Sequence, residues 1–388
     1  MLIKLIILIT FFSNDYLSLY CNKHLYLKKI IVTVTNDLTS DQRVHKVCRT
    51  LHNAGYDVFL IGRKLSNSKP LNRSYRTKRI SLLFNKGVLF YAEFNLRLFF
   101  VLLFYKKDIL LANDLDTLLP NYLISKLQIK KLVYDSHELF SEIPELVNKP
   151  FTKKVWRSLE RLVLPNLKNT YTVSNSIADY YDKKYQTKFK VIRNLPLMIR
   201  TISKGNFSFD HKGEKIILYQ GAINIGRGLE LIINTMPFIS NCILVIIGNG
   251  DIIKNLKSYV KNINLVKKVR FLESLTPNEL QKITPLANIG ISIEEDLGLN
   301  YRFSLPNKIF DYINAEVPIL VSNLPEMRKI IDTHKVGEIV KERSPQKLAL
   351  QIKELLKKDY SEELKKAKKE LIWENQEEEL LAIFRNII

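Results

Sequence analysis

The stretch from Asn300 to Pro325, NYRFSLPNKIFDYINAEVPILVSNLP, sets an ammonium, Lys308, three residues before a carboxylate, Asp311. Ile309, Phe310 and Ile313 recur at helical spacing, so the apolar side chains share one face of a helix and Lys308 and Asp311 the other. Ser304 suits its N-cap, Pro306 its first turn, and Asn307 to Ala315 its body. A helix N-terminus offers unpaired backbone N–H groups and the positive end of the dipole. A lysine beside it makes a seat for phosphate, and a carboxylate one turn on accepts from sugar hydroxyls. A solvated ion pair on an ordinary helix is the other reading of the same two residues.

A second group of candidates falls at strand ends. Lys131 to Asp135 reads as a strand that delivers DSHELFSEIPEL. His137, flanked by Asp135 and Glu138, then points into a crevice where a neutral imidazole hydrogen-bonds a sugar hydroxyl. CILVIIGNGD is a buried strand ending in Gly248 and Gly250, and glycine there lets a flat ligand approach the backbone. Asp114 and Asp116 have the spacing of a divalent-ion pair, although at a strand end they fit a loop and a helix N-cap better. Cys21, Cys48 and Cys242 are too few and too scattered for a disulfide framework or a zinc site, which fits a reducing compartment.

These residues need a scaffold of buried strands with helices between them, and the chain supplies it twice. KIIVTVT (29–35) opens a parallel sheet and leads through the polar loop NDLTSDQR to a helix from about Val44 to Asn53 and a second strand, DVFLIGR. No G-x-G-x-x-G follows the first strand, which disfavours a nicotinamide site. Further strands begin at Asp108, Lys131, Thr170 and Lys190, and residues 68–79 read as a basic loop. Residues 196–214, with Gly205 and Gly213, lack a periodic run and read as a linker. From Lys215 the alternation resumes, with strands in IILYQ, CILVIIG, VRFL, Val317 to Ser322 and Val336 to Val340, and ends in lysine-rich helices with solvated faces. The expectation is α/β, with two doubly wound domains, 29–195 and 215–370, facing a central cleft, and a final helix over 371–388.

Pro306, Lys308, Asp311, Ala315 and Pro318 resemble the donor-binding segment of retaining family-4 glycosyltransferases, and the likeness runs over about residues 29–340. Asp311 stands where that family has the second glutamate of its E-x7-E motif, Glu316 where it has glycine, and Phe303 where the first glutamate falls. The resemblance implies the GT-B architecture of two Rossmann-like domains, acceptor-binding first and nucleotide-sugar-binding second, with the last helix crossing back. It implies transfer of a sugar from a nucleotide-sugar to the hydroxyl of a glycan or a lipid-linked acceptor with retention, as in bacterial surface polysaccharide or glycolipid assembly, with no metal and no cofactor. By the same resemblance His137, in YDSHELF, lines the transferred sugar, and Gly221 with Arg227 and Gly228 matches the elements whose cations hold the diphosphate. Arg227 and Lys308 would carry that charge, with Arg302 in place of the arginine that Ala222 replaces. Gly248 and Gly250 would lie beside the nucleotide, Leu275 against the base, Asp311 on the ribose and Glu295, in EEDLG, on the sugar. A nucleotide-sugar 2-epimerase on the same fold and a non-enzymatic basic binding protein are the rival readings.

The 388 residues carry a formal net charge of +21, and most of it lies in one half: residues 1–200 hold 33 Lys+Arg against 15 Asp+Glu. Such a surface suits nucleic acid, an anionic bilayer or a phosphorylated acceptor, and lysine-rich composition alone also produces it. The bilayer is the expected partner, because VLFYAEFNLRLFFVLLFYKKD is aromatic and long, while Glu93, Asn95 and Arg97 argue against spanning. That stretch reads as a helix lying partly in the interface with Lys106 and Lys107 reaching the headgroups, or else as a helix buried against the sheet. The expected location is cytoplasmic, peripheral on the inner face of the membrane. MLIKLIILITFF is too short to span, and residues 1–28 are read as an extension or weak anchor outside the fold.

Overall fold

The structure, a computed structural model, describes residues 27–387 apart from 40, 67, 144, 145, 147, 148 and 199–203. The expected weak anchor lies, except for its last two residues, outside the described residues, as does Cys21. In chain order the first half gives β1 (Lys29–Asp37), α1 (Gln42–Asn53), β2 (Asp57–Lys64), β3 (Arg76–Ser81), α2 (Gly87–Phe104), β4 (Ile109–Asn113), α3 (Leu115–Leu127), β5 (Lys131–Ser136), α4 (Pro150–Val163), β6 (Asn169–Thr172), α5 (Asn175–Tyr185) and β7 (Lys190–Val191). The second half gives β8 (Lys215–Gln220), α6 (Leu229–Thr235), β9 (Cys242–Ile247), α7 (Ile253–Asn262), β10 (Val269–Leu272), α8 (Pro277–Ile283) and β11 (Ile289–Ser292). It continues with α9 (Leu299–Arg302), α10 (Asn307–Asn314), β12 (Ile319–Val321), α11 (Pro325–His334), β13 (Gly337–Ile339), α12 (Pro345–Leu355), α13 (Ser361–Glu370) and α14 (Glu374–Arg385).

The first sheet runs β3-β2-β1-β4-β5-β6-β7 and the second β10-β9-β8-β11-β12-β13, and every pairing is parallel. Each order reverses beside its first strand, at β1/β4 and at β8/β11. The loops leaving those strands diverge there and open a crevice at the carboxyl ends. Both faces of each sheet are covered, so successive side chains of β1 enter different cores: Ile31 on one face, Ile30, Val32 and Val34 on the other. The last helix returns to the first sheet. Trp373, Leu380, Ile383 and Phe384 share a core with Ile30, Val44 and Leu51, and the Trp373 indole N–H donates to Thr50 Oγ1 at 2.9 Å.

Two sequence expectations change. Arg76–Ser81, read as part of a basic loop, is the edge strand β3. An edge strand needs one partner only and tolerates the charged alternation that hid it. Lys107 does not reach outward: it is buried, and its ammonium donates to the Leu102 and Tyr105 carbonyls and to Gln128. Burial, with Lys130 nearby, pulls its pKa down to about 8.

Candidate functional site

Helix α10 is preceded by Pro306, whose extended ψ of 134° makes it the N-cap in place of the expected Ser304. The Ser304 hydroxyl instead donates to the Tyr301 carbonyl at 2.8 Å. Ile309, Phe310, Tyr312 and Ile313 bury the other face of the helix against the second sheet. The Tyr312 hydroxyl donates to Leu218 O at 3.0 Å and accepts from Gln220 N at 3.1 Å, locking helix to strand. Gly290 is required under it, since a Cβ there would meet the Tyr312 ring at 2.3 Å. This packing turns Pro306, Asn307, Lys308 and Asp311 into a cleft of about 860 Å³ lined by both halves of the chain.

Within the cleft Lys308 lies 4.0 Å over the Tyr219 ring and donates to Glu294 Oε1 at 2.9 Å. Arg227 Nη1 stands 3.7 Å from the same oxygen, its guanidinium 5.2 Å from the Tyr301 ring centre and its buried Nε without a partner among the described residues. One carboxylate therefore serves two cations, and the cluster keeps net positive charge. Glu294 is 1% exposed. Burial opposes its charge, yet Lys308 and Arg227 outweigh that and hold its carboxyl below the usual range. Ser292 Oγ donates to its other oxygen at 2.8 Å, and Arg343 fixes the loop by donating to the Ile293 and Glu294 carbonyls. Asp311 accepts from Gln220 Nε2 at 3.3 Å, and burial raises its pKa to about 6 against the opposing pull of Lys46 and Gln220.

The first sheet faces this cluster with a second one. Asp114, between β4 and α3, has φ 58° and ψ 167°, a strained position for a residue with a side chain. Its carboxylate accepts from the His137 backbone N–H at 2.8 Å and lies 3.1 Å from His137 Nδ1. Asp135, at the end of β5, lies 3.1 Å from Nε2 and is itself held by a two-point bond from the buried Arg43 at 2.8 and 3.0 Å. Burial disfavours a charged imidazole, but two flanking carboxylates overcome it and hold the His137 pKa well above its ordinary value. With a carboxylate at each ring nitrogen, the site favours the charged imidazole over the expected neutral one. Arg43 and His137 likewise hold the Asp135 carboxyl, against its burial, at about 2. The halves meet beside this group: Asn300 Nδ2 donates to Glu138 Oε2 and Asn300 Oδ1 accepts from Leu139 N, both at 3.0 Å.

Of the residues singled out by sequence, His137, Gly221, Arg227, Lys308 and Asp311 line one cleft. Glu295 does not: it points outward at 39% exposure, with Arg343 4.0 Å away, and Glu294 is the carboxylate turned inward. Arg302 is not the missing cation, because its guanidinium grips Asp296 outside the cleft at 2.6 to 3.2 Å. Gly248 and Gly250 leave room for the chain itself, since a Cβ would meet Gly221 O at 1.9 Å and Ile223 O at 2.3 Å respectively. Leu275 packs into the core below α10, and Leu280 is the leucine of that segment on the cleft. Asp116 is buried with its Oδ2 accepting from Thr35 at 2.5 Å. Among the described residues no group of three His, Cys, Asp or Glu side chains is arranged to hold a metal ion. Glu294 and Arg43 were missed as site residues, although the pair of acids in EEDLG was a local signal for the first, and Asp114, read as half of a divalent-ion pair or a helix N-cap, instead holds His137.

Comparison with known proteins gives two adjacent family matches, Glycosyltransferase Family 4 over residues 41–195 and Glycosyl transferases group 1 over residues 204–371. A glycosyltransferase of Methanocaldococcus jannaschii is 28% identical over 141 residues, a match that spans 35% of this chain and 34% of that one. Among solved structures, sucrose-phosphate synthase from Thermosynechococcus elongatus superposes with a TM-score of 0.75 at 15% identity, over 93% of this chain and 99% of that one. The Anabaena protein HepE in complex with UDP-glucose superposes with a TM-score of 0.71 at 11% identity, over 92% and 99%. At these identities the superpositions speak for the fold, two Rossmann-like domains across a cleft.

Proposed function

Because the two matches between them carry both halves of the fold, the chain belongs to the family-4 glycosyltransferases, and we propose that it moves a sugar from a nucleotide-sugar to an acceptor hydroxyl with retention of configuration. The observation that carries the reading is the cation pair Arg227 and Lys308, gathered on one buried carboxylate at the start of α10. The leaving group of such a transfer is a nucleoside diphosphate, and the barrier falls when its growing charge meets cations and backbone N–H groups already in position. Arg227 and Lys308 take the diphosphate, with the uncapped N–H groups of Asn307 and Lys308 beneath it. That arrangement supplies the positive charge from the chain's own side chains, and the transfer proceeds without a bound metal. Asp311 accepts from the ribose hydroxyls. His137, held between Asp114 and Asp135, lines the transferred sugar.

UDP-glucose is the first donor to test, since it is the ligand of the Anabaena relative. The acceptor is a glycan or lipid-linked hydroxyl. Thermal shift of the purified protein with UDP, GDP, ADP and CMP, with and without magnesium, tests the reading. A selective shift that is independent of magnesium and lost in Lys308→Ala is expected. No shift with any nucleotide would sink it.

A further inference from the structure

The helices on one face of the first sheet carry an unusual outward surface. On α2, Leu89, Leu96, Phe100 and Phe104 are exposed, at 57, 60, 51 and 79%, while Phe90, Phe94, Leu98 and Leu102 bury the opposite stripe in the core. Its most apolar eighteen residues have a mean hydropathy of 1.7, and only 22% of them are buried. The neighbouring α3 repeats the pattern at intervals of four: Leu119, Leu123 and Leu127 are exposed at 37, 46 and 64%. Next to it α4 does so again, with Phe151, Val155 and Leu162 at 77, 50 and 65%. α2 packs against α3 and α3 against α4, so the three stripes lie side by side on one surface. Far more large apolar area is gathered here than isolated surface leucines explain.

Charge on the same helices is sorted. Arg97, Lys126, Lys154, Arg157 and Arg161 are exposed, whereas the three carboxylates are withdrawn, Glu93 at 13%, Asp116 at 6% and Glu160 at 1%. Glu93 accepts from the N–H groups of Leu83 and Phe84 and pairs with Arg97 at 2.8 Å, Glu142 outside these helices pairs with Arg157 at 2.6 Å, and Glu160 accepts from the hydroxyls of Ser141 and Tyr185, which leaves Lys126, Lys154 and Arg161 as cations with no ion pair among the described residues. An apolar plane bordered by cations, with its acids turned inward, complements a layer that is hydrocarbon inside and anionic at its surface.

We propose that the outward faces of α2, α3 and α4 form one docking surface for an anionic lipid bilayer. The proposal rests on the apolar stripes and the sorted charge and is independent of donor chemistry. It also fixes an orientation. Each of these helices connects two parallel strands and runs back against them, so its first turn lies at the carboxyl ends of the strands, beside the cleft. Leu89, Leu119 and Phe151, all near the starts of their helices, therefore lie toward the cleft, and a docked molecule opens its cleft close to the headgroups.

The test is co-flotation of the full chain with vesicles of phosphatidylcholine, with and without phosphatidylglycerol, read beside the melting temperature and far-ultraviolet circular dichroism of the unliganded protein as a control for folding. Three variants remove one stripe each: Leu96→Gln with Phe100→Gln, Leu123→Gln with Leu127→Gln, and Phe151→Gln with Leu162→Gln. Each is expected to weaken partitioning to the anionic vesicles by about tenfold or more, from the apolar burial lost. Lys154→Glu with Arg161→Glu is expected to weaken it by about fivefold per cation, in a salt-sensitive way. Flotation lost only in the α2 variant would overturn the three-helix surface. Flotation that survives all three would overturn it and move attachment elsewhere in the chain, residues 1–26 included. Absence of flotation, with a dimer in sedimentation that the same substitutions dissolve, would overturn it in favour of a second copy of the chain.

Discussion

Replacing Glu294 by glutamine separates two roles that a buried carboxylate in this position can have. Its Oε1 lies 2.9 Å from Lys308 Nζ and 3.7 Å from Arg227 Nη1, and neither distance leaves room for water. At an effective dielectric of about 20, each attraction is on the order of 5 kcal/mol before desolvation is charged against it. Lys308 is only 8% exposed, so the variant leaves a cation buried without its counter-ion. Removing one partner of a buried pair costs about 3–5 kcal/mol, and at about 2–4 °C per kcal/mol the unliganded melting temperature should fall on the order of 10 °C. A diphosphate restores the missing negative charge, so UDP should stabilise Glu294→Gln by more than it stabilises the parent protein. Differential scanning fluorimetry over a UDP titration measures both quantities. An unchanged unliganded melting temperature, or a UDP shift smaller than that of the parent, would refute the counter-ion reasoning and make Glu294 a direct ligand of the donor.

Two further outcomes follow from the charge states of the cleft. Asp311 titrates higher folded than unfolded, so the native state binds the extra proton and stability falls as pH rises between about 4 and 6. Asp311→Asn should flatten that slope and raise the melting temperature above about pH 6 by a few degrees, while weakening the UDP-induced shift through loss of the ribose acceptor. His137 owes its raised pKa to Asp114 and Asp135, so its ring should hold its proton to higher pH than a free imidazole does. Nitrogen chemical shifts of the imidazole in Asp114→Asn should show a lower titration midpoint, and a midpoint equal to that of the parent would show that Asp114 does not set the charge.

Local pattern was enough for the elements and for one face of the site. The helix over Asn307–Asn314, with Lys308 and Asp311 opposite its apolar side, follows from spacing alone, and so does the position of His137 at a strand end. The buried strands of both sheets were legible because a strand covered on two faces reads as a continuous apolar run. The edge strand β3 was not, because one of its sides pairs with nothing among the described residues and its composition is that of a charged loop.

Which neighbouring residue turns inward was decided by the tertiary structure. Glu294 and Glu295 differ by one position, and beyond the end of a strand one position moves a side chain to the other face. The loop that sets the outcome is held by Arg343, from a segment 49 residues later in the chain. Arg302 found Asp296 six residues away before it could reach the cleft, a local bond that spacing does not forecast. The pKa of His137 is raised because β4 and β5 lie side by side and bring Asp114 and Asp135 to its two nitrogens, although 23 residues separate Asp114 from His137. The exposed apolar residues of α3 and α4 come to lie beside those of α2 only through the packing of the three helices against one another. Sequence thus determined the buried strands and the helix that carries Lys308 and Asp311, since those depend on residues a few positions apart. Charge state, inward carboxylate and continuous surface came from side chains distant in the chain, which only the folded arrangement brings within a few ångströms.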